Sequence, residues 1–133
     1  MTTILRRVLI VEDSNLQAKV CQVLFQRHAG WQTVIAKDGI DALDKLNWEK
    51  DFRNNDFDIV LLDMNMPRMD GLSFLKAMKD AGYGHIPVLV VSTEGEDAKI
   101  REALKAGARG YVKKPWQPDQ VWNMIDKLVP PNR

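Results

Sequence analysis

Asp58-Ile59-Val60-Leu61-Leu62-Asp63-Met64-Asn65-Met66-Pro67 holds four consecutive apolar residues, two of them β-branched, ending abruptly on a carboxylate. A short apolar run of this kind reads as a strand buried on both faces, the habit of parallel sheets covered by helices. Pro67 and Gly71 then keep the chain out of regular structure. A buried strand that delivers Asp63 to its carboxyl end places a nucleophile or ligand at the rim of the sheet. In open parallel α/β sheets that rim is where ligands bind. The plainer alternative is that Asp63 ends the strand and faces water.

Working outward, similar apolar runs recur on both sides. Val8-Leu9-Ile10-Val11 ends in Glu12-Asp13-Ser14-Asn15, where Ser14 or Asn15 can cap a helix reaching about His28. Val20, Cys21, Leu24 and Phe25 fall at helical spacing and are expected to face the core. Cys21 therefore reads as packing rather than chemistry, and Gly30 as a left-handed cap residue. Trp31 to Ala36 forms a second strand, with Val34 and Ile35 inward. Asp38-Gly39 then turns into a helix with Ile40, Ala42, Leu43 and Leu46 as its apolar stripe. The polar segment Asn47 to Asp56 has no clean period and reads as a helix end plus a surface loop.

Beyond the central strand, Leu72, Phe74, Leu75 and Met78 trace an amphipathic helix. Val88-Leu89-Val90-Val91 is another apolar strand, stopping at Ser92-Thr93-Glu94. A helix over Glu96 to Ala106 buries Ile100, Ala103 and Leu104. Gly110 to Pro115 is a last short strand, and Pro118 opens a closing helix with Val121, Met124, Ile125 and Leu128 inward. Five strands thus alternate with five helices, the pattern of an α/β fold with a parallel sheet and helices on both faces.

The 133 residues suit one domain with a core of ordinary size, 8–128. A net charge of +1 gives no electrostatic reason to expect nucleic acid or an anionic membrane as partner. One cysteine excludes an internal disulfide and suits a reducing compartment. No apolar run is long enough to span a membrane, and Arg6 and Arg7 interrupt the only stretch that could resemble a signal peptide. The expectation is a cytoplasmic, monomeric domain.

Parallel strands all point their carboxyl ends to one edge. Glu12 and Asp13, Asp63, Ser92 and Thr93, and Lys114 should therefore meet there. Each alone has an ordinary explanation as a cap or a solvated charge. Three carboxylates, a hydroxyl and an ammonium from four separate strand ends are poorly explained by capping. Two carboxylates about 5 Å apart repel by roughly 3 kcal/mol at an effective dielectric near 20. Lys114 offsets part of this as a mobile point charge. An oxygen-rich set suits a hard divalent cation, Mg²⁺ before zinc or copper. His28 and His85 have no ligand-like neighbours in sequence.

Val8 to Asp13 with its acidic pair, Asp63-Met64-Asn65-Met66-Pro67-Arg68-Met69-Asp70-Gly71, Ser92 after an apolar strand, and Gly110-Tyr111-Val112-Lys113-Lys114-Pro115 together resemble the receiver domains of two-component response regulators. The likeness runs from Val8 to Leu128 and is strongest to single-domain members of the CheY type. It implies a flavodoxin-like, three-layer fold with strand order 2-1-3-4-5, which spacing alone does not give. It further implies that Asp63 accepts a phosphoryl group from a sensor histidine kinase. In that likeness Asp13, Asp63 and the backbone carbonyl of Asn65 bind Mg²⁺, with Glu12 acting through a water. Lys114 pairs with Asp63, Ser92 donates to the phosphoryl group, and Tyr111 is the aromatic that rotates with it. The surface of helix four, strand five and helix five would then switch for a downstream protein, a flagellar switch or another effector. The Lys114–Pro115 bond should be cis, a state open mainly to X–Pro bonds. Such a protein catalyses only its own phosphorylation and dephosphorylation.

Three features depart from the family pattern. Ser92 stands where many receivers have threonine, the Asn47–Asp56 segment is long, and Trp116 and Trp122 lie near the output face, Trp122 expected to be partly exposed. A haloacid-dehalogenase-type phosphatase would want an Asp where Asn65 stands. A flavin carrier would want a hydroxyl-rich phosphate loop where Glu12 and Asp13 repel phosphate. A receiver-like module that is never phosphorylated, or a receiver belonging to a larger regulator, are the remaining alternatives.

Overall fold

The strands form because their β-branched and leucine-rich runs can bury both faces only inside a layered structure, and this is how they are used. The computed structural model describes residues 6–27, 30–53, 57–64, 66, 68–93 and 97–129. In order these contain β1 (Arg7–Val11), α1 (Asn15–Arg27), β2 (Gln32–Ala36), α2 (Gly39–Trp48), a π-helical turn (Glu49–Arg53), β3 (Ile59–Asp63), α3 (Gly71–Asp80), β4 (Val88–Ser92), α4 (Asp97–Lys105), β5 (Gly110–Lys113) and α5 (Pro118–Leu128). The five strands are all parallel, in the order β2-β1-β3-β4-β5. This is the flavodoxin-like arrangement expected from the family likeness.

Alternation along each strand divides the core in two. Leu9, Val11, Val60, Leu62, Val88 and Val90 meet the apolar stripes of α2, α3 and α4. Val8, Ile10, Ile59, Leu61, Leu89 and Val91 meet α1 and α5. The register sets Val11 beside Leu62, Asp63 beside Val91 and Ser92 beside Lys113, so the strand ends are level at the carboxyl edge.

Local signals behave as expected at three helix starts: Ser14 Oγ accepts from Gln17 N, the Asp38-Gly39 turn opens α2 with Asp38 as its cap, and Pro118 opens α5. Asp70 caps α3, which the sequence reading did not single out. Gly30 lies at φ +65°, where a side chain would be strained.

Several side chains are placed otherwise than periodicity suggested. Val20, Ile40 and Leu104, expected inward, are exposed (51%, 39% and 40%). The buried stripes are narrower: Ala18, Cys21 and Phe25 on α1, Ala42 and Leu46 on α2, Ile100 and Ala103 on α4. A helix on a flat sheet buries an i, i+3, i+7 line, and the flanking position lands on the helix's outer edge. Trp122, expected partly exposed, is 8% exposed. It packs edge-on against Phe25 at 5.1 Å and tilted against Trp31 at 6.0 Å, filling the space between α1 and α5. The long segment after Leu46 does extend the helix, but it is not wholly surface. Its π turn carries Glu49 inward onto Arg7, while residues 54–56 lie outside the described region.

Candidate functional site at the carboxyl edge of the sheet

Three strand ends bring the acidic groups together. Glu12 follows β1, and its backbone N–H is held by Ala36 O at 2.9 Å, a rung continuing the pairing with β2. Its carboxylate accepts from Ser14 N at 3.2 Å, which turns the side chain back over the start of α1. Asp13 is exposed beside it, and Asp63 is the last residue of β3. Glu12 and Asp63 are buried, at 7% and 8% exposure. Oxygens of Glu12, Asp13 and Asp63 all lie within 4.8 Å of one another. Asp63 therefore does not simply face water.

The crowding has an electrostatic signature. Glu12 is pushed up to about 7. Burial is the main cause, opposed by the Ser14 N–H, reinforced by the hydrogen bond and charge of Asp63, and relieved in part by Lys114. Lys114 Nζ lies 3.4 Å from Glu12 Oε1 and donates a short hydrogen bond to the Gln17 side-chain carbonyl. This ammonium, expected beside Asp63, donates hydrogen bonds to Glu12 and Gln17 at the same rim. The Lys114–Pro115 bond is cis, as the family likeness implied.

Ser92 closes β4 with its hydroxyl completely enclosed (1% exposed) and without a hydrogen-bond partner among the described residues. Buried hydroxyls are normally satisfied, so an orphan beside an acidic cluster calls for an explanation. Tyr111 is 41% exposed on β5. A mostly apolar cavity of about 300 Å³ opens beside Asp63, Glu12 and Lys114, with Cys21, Leu61 and Trp116 among its walls. The Cys21 thiol is driven up to about 11, chiefly by burial, which agrees with a packing role. Asn65 lies outside the described residues.

Glu12, Asp13, Asp63, Ser92 and Lys114 thus come to one edge, as their positions at strand ends required. Sequence reasoning missed Gln17, which reaches Lys114 from the first turn of α1. Only the cap at Ser14, which fixes where that turn begins, could have pointed to it. It also missed Arg68, whose side chain reaches Asp38 at 2.5 Å. The donor set is oxygen-only, and three such carboxylates could hold a metal ion of the hard divalent kind.

Residues 8–126 match the response regulator receiver domain family. The chain belongs to this family. As a receiver it is 31% identical over 128 residues to the chemotaxis protein CheY1 of Helicobacter pylori, covering 95% of this chain and 98% of that one. The solved structure of chemotaxis protein CheY4 of Vibrio cholerae superimposes with a TM-score of 0.81 at 30% identity, covering 95% of this receiver and 100% of CheY4. The signal receiver domain of a histidine kinase from Syntrophus aciditrophicus gives a TM-score of 0.80 at 25% identity, with 93% and 89% covered. The receiver is therefore CheY-like in both sequence and fold. Among the described residues, no helix is long and apolar enough to cross a membrane.

Proposed function

We propose that this receiver is a phosphoacceptor, with Asp63 taking a phosphoryl group from the phosphohistidine of a sensor kinase. The observation that carries this reading is the buried, unpartnered hydroxyl of Ser92 on the strand next to Asp63. A phosphoryl group on Asp63 would bring acceptor oxygens to which this hydroxyl could donate. An oxygen of Asp63 attacks phosphorus and forms the new O–P bond. The N–P bond to the donor imidazole breaks, and its electron pair returns to the ring nitrogen. Lys114 supplies a cation at the developing charge, and Ser92 donates to a phosphoryl oxygen.

Asp13, Asp63 and the Asn65 carbonyl would hold Mg²⁺, with Glu12 acting through a bound water. The ion, when bound, neutralises the charge that three carboxylates and a phosphoryl group would otherwise place at one spot. Apart from its own phosphorylation and dephosphorylation the receiver has no reaction to catalyse. The added charge and acceptor oxygens would engage Ser92 and let Tyr111 leave its exposed position. This biases the face made by α4, β5 and α5 toward a downstream protein. The chemotaxis relatives favour a partner of the flagellar-switch kind.

Incubation with phosphoramidate and Mg²⁺ should add the mass of one phosphoryl group, and Asp63→Asn should abolish it. No gain under these conditions would leave a receiver-like interaction module that is never phosphorylated. A gain retained in Asp63→Asn would place the acceptor elsewhere.

A further inference from the structure

The loop leaving Asp63 is fastened to the turn that precedes α2. Arg68 sits at φ +62°, a left-handed conformation that a long side chain adopts only at a cost. Its Nε donates to Asp38 Oδ2 at 2.5 Å, while Asp38 Oδ1 accepts from Asp41 N at 2.9 Å and caps α2. Asp38 is almost completely buried, and the Arg68 guanidinium beside it holds its carboxyl below the usual range. The next residue, Met69, covers Gly39 so closely that a Cβ there would lie 2.8 Å from the Met69 sulfur. Two consecutive loop residues thus dock on two consecutive residues of the β2–α2 turn.

Both sides of the acidic cluster hang from this junction. The turn follows Ala36, whose carbonyl holds Glu12 N. At the loop's ends, Met64 follows Asp63 directly, and Gly71 N donates to Met64 O at 3.2 Å. A Cβ on Gly71 would lie 2.8 Å from the Met64 Cα, so the two ends of the loop are packed directly on each other.

We propose that the Arg68–Asp38 pair is a positioning device for the metal site, holding the segment after Asp63 in place against the strand end that carries Glu12. This rests on the metal-binding reading of the same site. Arg68 is half exposed and outside the core, so its loss should loosen the carboxylate set without unfolding the domain.

Titration calorimetry with Mg²⁺ on the parent, Arg68→Ala, Arg68→Gly, Asp38→Asn and the Arg68→Ala/Asp38→Asn double variant tests this. Asp38→Asn keeps a good helix cap and removes only the charge, and Arg68→Gly removes the side chain while relieving the backbone. Each single variant should raise the Kd about 10-fold, the order seen when outer partners of metal ligands are lost. The double variant should be no worse than the singles, and Arg68→Lys should restore part of the affinity. Melting curves read in parallel separate placement from stability. A Kd within about twofold of the parent in both Arg68 variants overturns the proposal whether or not the melting temperature falls, because twofold is well below the loss of an outer partner. No Mg²⁺ binding by the parent would sink the metal-binding reading itself, and this inference with it.

Discussion

The same five-residue strand, β1, has a buried charge cluster at each end, and the two are built on opposite terms. At its start, Arg7 makes two hydrogen bonds to Glu49, at 3.0 and 2.7 Å, and lies 4.7 Å over the Phe57 ring. One guanidinium meets one carboxylate, and Asp58 accepts the Arg7 backbone N–H at 2.8 Å. Just past the strand's other end, Glu12 and Asp13 join Asp63, with Lys114 as the nearby ammonium. Burial is similar for Glu49, Glu12 and Asp63, so burial does not separate the two clusters. Stoichiometry does. At the Arg7 end one carboxylate faces one guanidinium, and Arg7 Nε alone of that pair is left without a partner among the described residues. At the rim three carboxylates face one ammonium, a surplus that binds whatever restores the balance.

The largest test of that contrast is at the matched end. Removing one member of a buried ion pair leaves an uncompensated charge and costs about 3–5 kcal/mol. Glu49→Ala should lower the unfolding free energy from denaturant titration by that amount, and Mg²⁺ should not restore it. A loss below about 1 kcal/mol, the range of exposed pairs, would mean that the Arg7–Glu49 contact is no more than a surface bridge.

At the acidic rim the sign should reverse. Asp63→Asn relieves a repulsion of roughly 3 kcal/mol at most, so the metal-free variant should melt higher than the parent and lose most of its response to Mg²⁺. The pH dependence carries the same information. Because Glu12 is raised to about 7 from an ordinary 4.5, the folded metal-free domain holds a proton that the unfolded chain has released between those values. The contribution of Glu12 to stability is therefore full below about 4.5, is lost as pH rises toward 7, and is constant above. Glu12→Gln should remove this slope, and Mg²⁺, which competes with the same proton, should bind the parent more tightly at pH 8 than at pH 6. A metal-free Asp63→Asn variant that melts below the parent would break the electrostatic account.

What could be read beforehand follows from range. Strand runs and caps are local, so β1, β3 and β4, Ser14, Asp38 and Pro118 are visible in a few residues of sequence. Convergence of Asp13, Asp63 and Lys114 needs only the rule that parallel strands end on one edge. The order of the strands is not local, and came from family likeness. Val20, Ile40 and Leu104 were misplaced because periodicity locates an apolar face but not its width. Glu49 falls in a polar stretch with no clean period, which reads as surface. Its partner Arg7 is 42 residues away, and no spacing rule connects them. Arg68 was invisible for the same reason, since Asp38 lies 30 residues before it.

The smallest expected effect on stability is at Ser92, and it discriminates most finely between the two ends. A buried hydroxyl without a partner contributes nothing and carries its desolvation, so Ser92→Ala should leave the metal-free domain unchanged or more stable by about 1 kcal/mol. Removing either the Arg7 guanidinium or the Glu49 carboxylate should be costly, because each leaves the other's charge buried without its partner. The same Ser92→Ala change should slow the gain of a phosphoryl group from phosphoramidate, since the donor to the phosphoryl oxygen is gone. Ser92→Thr should retain that donor with a more restricted rotamer. Melting curves and intact-mass time courses on the two variants give both readings. If Ser92→Ala instead destabilises the metal-free domain by more than about 1 kcal/mol, the hydroxyl already has a partner in the resting state. The rim would then be closed in the same sense as the Arg7–Glu49 end.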